Sequence, residues 1–228
     1  MLVIRNEKAR SALKIVVPIA LTVLVFASAL LTRSARSYLL VSIAVSMLSV
    51  IFFMTGYEKK KTGTRRLIIA AALIALSVIS RFIPFFKPVT ALTIISGVYL
   101  GPETGFLVGS MSAVISDFYF GLGPWTPFQM LAWGLIGLAA GLLAGILKKN
   151  MPLMVIFSAL SGVAFSMIMD TWTVIWMNES FSIAAYVAVL TPSLPFMLLY
   201  VASNVIFILV LAKPIGKKLE RMRIKYGV

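Results

Sequence analysis

Eight apolar runs, each bounded by charge or by proline and glycine, leave this chain no hydrophilic stretch long enough to enclose a core of its own. They fall at Ile15–Leu31, Tyr38–Met54, Leu67–Ser80, Pro88–Leu100, Gly105–Phe120, Trp125–Leu147, Pro152–Met177 and Ile183–Ala212. As a helix, about 20 apolar residues cross the ~30 Å hydrocarbon core of a bilayer. Of 228 residues, 61% are hydrophobic and only 12% charged, where a soluble domain carries roughly twice that charge. The mean hydropathy is +1.02. The expected fold is all-α, a polytopic membrane helical bundle. The third and fourth runs fall short of ~20 residues, so they are expected to tilt, to break or to borrow length from the proline-containing turns beside them.

The sequence has no cysteine and no histidine, which removes disulfides, zinc sites, imidazole general bases and His-ligated haem together. No cofactor and no metal are expected. No Gly-x-x-x-x-Gly-Lys-Ser/Thr occurs, so any ATP-driven step must be supplied from outside this chain. The net charge of +14 would suggest nucleic acid in a soluble protein, but the basic residues sit at the ends of apolar runs and no nucleic-acid partner is expected. Arg5, Lys8, Arg10 and Lys14 precede the first run, and Lys59, Lys60, Lys61, Arg65 and Arg66 separate the second from the third. Lys148 and Lys149 follow the sixth, and the basic segment Lys213–Lys225 follows the eighth. Eight crossings put these clusters on one side, 17 of the 21 basic residues, against Arg33, Arg36, Arg81 and Lys87 on the other. By the positive-inside rule the basic side is the cytoplasm and both termini lie there, in a multi-pass protein of the cell membrane.

The basic start, apolar core and Ala27-Ser28-Ala29 of the first run resemble a cleavable signal peptide. Its roughly 17 apolar residues exceed the usual h-region of ~7–15, and a retained helix is expected. Residues 1–64 read as a two-helix membrane segment that ends in a basic cytoplasmic linker around Glu58–Arg66. Residues 65–228 read as a six-helix membrane unit with a basic cytoplasmic tail.

Ionisable groups inside lipid are costly and are therefore candidates for function. At 1.5 Å per residue, Asp117 lies about 18 Å from the Gly105 turn, Asp170 about 27 Å from Pro152 and Arg81 about 21 Å from Leu67. Gln129 and Trp133 lie about 6 and 12 Å below Trp125. All five thus fall in the outer half. Gln129 and Trp133 are i and i+4, as are Trp172 and Trp176, while Ser166, Asp170 and Thr173 form a polar stripe. An outward cavity lined by rings and a few fixed polar groups is what a small-molecule site requires. The competing structural reading is that Asp117 or Asp170 pairs with Arg81 to hold the bundle, with the tryptophans as interfacial anchors.

Phe118 to Met130 is the densest feature of the chain. Gly121 and Gly123 permit close backbone approach, Pro124 and Pro127 stiffen the loop, and Phe120 and Trp125 suit a lid or rim over a pocket. A ridge of Gly134, Gly137, Gly141 and Gly145 follows, suited to close packing of a neighbouring helix. Ala71-x-x-x-Ala75 places two small residues on one face of the third run, just beyond Arg65 and Arg66. In Gly101-Pro102-Glu103-Thr104-Gly105, Glu103 is expected to serve the helix start as an acid in its first turn.

With these residues in hand, the stretch from Arg65 to Ala212 resembles the substrate-binding S component of energy-coupling factor (ECF) transporters. The resemblance rests on the six-helix size, Ala71-x-x-x-Ala75, the Arg81–Lys87 loop with Pro84, the Gly101–Gly105 turn, and Phe120-Gly121-Leu122-Gly123-Pro124-Trp125-Thr126-Pro127-Phe128-Gln129-Met130 running into Trp133-Gly134. It implies a non-enzymatic subunit of an ATP-driven importer, capturing a vitamin or related micronutrient outside. It also implies docking on a membrane scaffold (T) subunit through Ala71 and Ala75, toppling to release cargo, and two cytoplasmic ATPase subunits that drive the cycle. Arg81, Asp117, Phe120, Trp125, Gln129, Trp133, Asp170 and Trp176 are then the expected substrate-binding residues, with Phe120 and Trp125 in the lid. The Gly123-Pro124-Trp125-Thr126-Pro127 wording is most similar to members assigned to cobalamin or related compounds. A corrinoid would find no imidazole here and would rest on aromatic contact and hydrogen bonds. The two N-terminal helices depart from the six-helix pattern and would hinder toppling unless they sit away from the docking face.

Three other functions fit the residues. A stand-alone proton-coupled secondary transporter would use Asp117 or Asp170 to carry the proton. An intramembrane enzyme would use the same two carboxyls as an acid pair. A structural membrane protein would have a filled, dry outer half.

Overall fold

The computed structural model describes residues 6–31, 35–56, 60–84 and 87–226. Among these, the secondary structure is entirely helical: α1 (Glu7–Leu31), α2 (Ala35–Met54), α3 (Lys60–Ser80), α4 (Val89–Leu100), α5 (Pro102–Phe120), α6 (Thr126–Leu142), a single turn α7 (Ala144–Leu147), α8 (Met151–Asn178) and α9 (Ile183–Tyr226). Seven of the eight apolar runs are each one helix, the sixth is divided at Leu143 into α6 and α7, and the chain is an all-α polytopic membrane bundle. By length and apolar composition α1, α2, α8 and α9 each qualify as a membrane span, with α4 and α6 as shorter apolar helices. Arg5, Arg33 and Lys59 of the basic clusters, Glu58 of the expected linker, and Phe85 and Phe86 lie outside the described residues.

Two lengths differ from expectation. The third helix begins at Lys60, ahead of the apolar run: Lys and Arg favour helix, and Thr62, Gly63 and Thr64, poorer helix formers, are carried within it with no proline to break it. The fourth is short. Its 12 residues reach only about 18 Å, little more than half the hydrocarbon core. It persists because it is apolar on all sides and enclosed by α3, α5, α6 and α9, with every residue but Tyr99 buried. Gly101, at φ +98°, then turns the chain straight into α5, with Pro102 at the first helical position.

The helices α4, α5 and α6 lie backbone to backbone. A Cβ on Gly105 would overlap the carbonyl of Gly137, one on Gly97 would meet that same carbonyl, and one on Gly109 would meet the carbonyl of Trp133. Gly134, Gly137 and Gly141 of the predicted ridge therefore do face a neighbouring helix, whereas nothing lies near Gly145. This contact fixes the depth of α6 against α5.

The N-terminal pair packs on α5, α6 and α8. Phe26 meets Phe128 edge-on at 5.2 Å between ring centres, Phe52 meets Phe106 at 5.4 Å, and Ser110 Oγ donates to Ser49 Oγ at 3.0 Å. At one end of the bundle Lys14 pairs with the buried Glu103 carboxylate at 2.8 Å. Glu103 does stand in the first turn of α5, but its carboxylate ties α1 to that turn. Ala71 and Ala75 on α3 are exposed, while Ala70 is fully buried. That face is left open, with the N-terminal pair seated elsewhere.

The end of the bundle carrying Lys14, Lys148 and the tail of α9 is called the basic end below. The end carrying Phe120 to Trp125 is called the aromatic end.

Candidate functional site

Arg81 directly follows α3, and its guanidinium turns inward to α5. Nη1 donates to Asp117 Oδ1 at 2.7 Å and to the Ser116 hydroxyl. The other Asp117 oxygen accepts from the Thr126 hydroxyl at 2.7 Å, and Thr126 Oγ1 accepts from the backbone N–H of Gly123 at 3.2 Å. Arg81 and Asp117 are 9% and 1% exposed. Burial without this geometry would be costly for both charges; here each is paired and hydrogen-bonded. The pair locks the end of α3, α5, the Gly121–Trp125 loop and the start of α6 to one another. It is Asp117, among the two candidate acids, that Arg81 holds.

The guanidinium also lies over the rings of Phe120, at 5.0 Å, and Trp133, at 5.4 Å. Trp133 donates its indole N–H to Thr90 Oγ1 at 3.1 Å and stacks on Phe165 of α8, with centres 4.9 Å apart and planes 19° from parallel. Phe165 in turn contacts Tyr200 of α9 at 5.0 Å. A row of rings thus links the ion pair to α8 and α9.

At the end of that row a cavity of about 220 Å³ opens between α6, α8 and α9, lined by Gln129, Phe165, Ser166, Met169, Asp170, Ser193, Phe196 and Tyr200. The polar stripe of α8 explains its wall. Ser166 and Asp170 face the cavity, while Thr173 returns its hydroxyl to the Met169 carbonyl at 3.0 Å. Asp170 Oδ2 accepts from Ser193 at 2.8 Å, and Oδ1 takes no hydrogen bond among the described residues. Gln129 Oε1 is buried with no hydrogen-bond partner there. Native structures rarely leave such an acceptor orphaned. Gln129 is one turn above Trp133, so one helix face carries both the stacking ring and the open acceptor.

Trp176 stands elsewhere. It is 41% exposed, meets Tyr38 edge-on at 5.6 Å, and with Tyr38, Leu39, Ser42, Leu122, Gly123 and Pro124 lines a second cavity of about 300 Å³ beside α2. Trp172 contacts both Trp176, at 6.5 Å, and Trp125, at 6.0 Å. The structure therefore sets Gln129 and Asp170 on the walls of one cavity, joins Trp133 to it through Phe165, and sets Arg81, Asp117 and Phe120 in the supporting network. Trp125 and Trp176 belong to an aromatic wall at the rim. Phe165, Ser193, Phe196 and Tyr200 were missed. The available signal was Thr191-Pro192-Ser193-Leu194-Pro195, a hydroxyl between two prolines inside an apolar run. Asp117 and Asp170 hold different partners and form no shared acid pair.

A family model described as "ECF-type riboflavin transporter, S component" matches residues 61–221. No curated protein and no solved structure matches the chain. The match spans well over half of the sequence, and the chain belongs to this family of ECF transporter S components, the membrane-embedded substrate-binding subunits.

Proposed function

We propose that this ECF S component takes its vitamin into the cavity between α6, α8 and α9, with the aromatic end facing outside and the basic end facing the cytoplasm. The orientation is supported by the charge asymmetry of the sequence, which both termini share. The observation that carries the reading is a ring-lined hollow walled by Gln129, whose buried Oε1 has no hydrogen-bond partner among the described residues, and by Ser166, Asp170 and Ser193. An unsatisfied buried acceptor costs ~1–3 kcal/mol, and a ligand N–H or O–H that meets the Gln129 amide as it turns into the hollow recovers it. Phe165, Phe196 and Tyr200 offer faces for a flat ring, and Ser166 and Asp170 offer further acceptors.

Riboflavin, the substrate in the family's description, has this character: a flat heteroaromatic ring with an N–H and a hydroxylated chain. The cavity is below the ~300–1,000 Å³ usual for ligand pockets, which favours one flat ring system over a corrin several times larger. Cobalamin, suggested by the Gly123–Pro127 wording, is thus the second choice. Arg81, Asp117 and Trp133 act as positioning residues. Members of the family work with a T subunit and ATPases, and we assign the exposed Ala71–Ala75 face of α3 to the scaffold contact.

Mass spectrometry of small molecules retained by the purified chain is expected to find a flavin. A retained corrinoid would instead assign the site to cobalamin. Leucine at both Ala71 and Ala75 is expected to leave ligand binding by the isolated protein intact while uptake falls about tenfold or more, the equivalent of ~1.4 kcal/mol of lost association. Transport assays beside binding assays on the same variant check this. Equal loss of both would contradict the division of roles.

A further inference from the structure

The last turns of α9 have no part in the cavity, yet they hold a dense charge. From Lys213 to Lys225 the sequence carries six basic residues and one acid, Glu220. The acid is spent internally: Lys148 Nζ pairs with Glu220 Oε1 at 2.6 Å and lies 5.3 Å from the centre of the Tyr99 ring. Leu219 is buried, Ile215 and Met222 pack on the core, and Gly216 lies directly against the Tyr99 ring. The opposite face carries Lys213, Lys217 and Arg221 at successive i, i+4 positions, with Lys218 beside them, all exposed. None of the four has a hydrogen bond or ion pair among the described residues.

The level of this face in the membrane follows from its neighbours. A lysine and a tyrosine at the ends of apolar helices sit at the headgroups, and Tyr99 and Lys148 are the residues that touch Gly216 and Glu220. Lys213, Lys217, Lys218 and Arg221 flank those two positions in sequence and so occupy the same layer. We propose that this amphipathic end of α9 is a binding surface for anionic lipid headgroups of the leaflet at the basic end. Exposed cations here meet a layer of negative charge and are drawn to it. The core-facing side of the helix is already filled, which fixes the stripe outward, and the fold rather than chance presents it to the headgroups.

The test uses the full chain in vesicles of phosphatidylcholine with roughly one-third phosphatidylglycerol, a charge comparable to that of anionic leaflets. Spin-labelled lipids of each class report which one the protein collects at its surface. Phosphatidylglycerol is expected to be enriched about threefold or more over phosphatidylcholine and to lose that enrichment at high salt. Glutamine at Lys213, Lys217, Lys218 and Arg221 together should clearly lower the ratio, the other basic clusters of that end keeping a remainder, while Lys213→Arg, Lys217→Arg and Lys218→Arg should preserve it. Unchanged enrichment in the glutamine variant overturns the proposal, as does enrichment in the unaltered chain that ignores salt. So does a glutamine variant that keeps its lipid preference and fails only to assemble with the ATPases, because the stripe would then serve a protein.

Discussion

Alanine at Asp117 is expected to lower the stability of the bundle by about 3–5 kcal/mol, the cost of leaving a buried partner charge uncompensated. Three losses coincide there. The Arg81 guanidinium, 9% exposed and covered by Phe120 and Trp133, loses its only anion among the described residues. The Thr126 hydroxyl loses its acceptor, and the loop it helps to fix through Gly123 loosens at the start of α6. Arg81→Ala should cost a similar amount by stranding the carboxylate. The double variant should recover part of the loss, because removing both charges leaves neither one unpaired. Thermal unfolding in detergent, read across the four proteins of that cycle, measures the coupling. Single-variant losses below about 1 kcal/mol, the range of surface pairs, would contradict a buried structural role.

Gln129→Leu is expected to do the opposite to stability. Its buried Oε1 has no partner among the described residues, so an apolar side chain of similar size removes an unmet cost and should hold or raise the melting temperature. Ligand affinity should nevertheless fall about 10- to 100-fold, the worth of one or two hydrogen bonds in a desolvated site. Asp170→Asn keeps the shape and retains an acceptor for Ser193 but removes the charge, and should also weaken binding by about tenfold. A variant more stable and less able to bind is the mark of a group held unsatisfied for a ligand. A residue kept for packing alone would lose stability when replaced.

Much of the architecture was legible because lipid imposes a simple rule: apolar runs of the right length become helices, and basic residues mark their ends. The apolar helices and the Gly134–Gly141 packing ridge were readable in this way. The length of α3 was not, because Lys60 to Arg66, with Gly63 between two threonines, look like a linker in composition, yet no proline there interrupts the helix. The enclosure of α4 was hinted at only by its having no polar face. For the site, helical spacing along one chain segment put Gln129 with Trp133 and Ser166 with Asp170, and depth counting put them at one level. Spacing cannot say which helices are neighbours. Asp117 therefore looked equal to Asp170 until the structure set it against Arg81 and Thr126, and the α9 wall of Ser193, Phe196 and Tyr200 was invisible inside an apolar span.

The account stands on the hollow between α6, α8 and α9 being the cargo site rather than the larger one beside α2. Titration of the detergent-solubilised protein with riboflavin, followed by the flavin's own fluorescence, compares the unaltered chain with Gln129→Leu and Trp176→Leu. The account predicts one-to-one binding that weakens at least about tenfold with Gln129→Leu and changes little with Trp176→Leu. Affinity lost through Trp176 and untouched by Gln129 would contradict it.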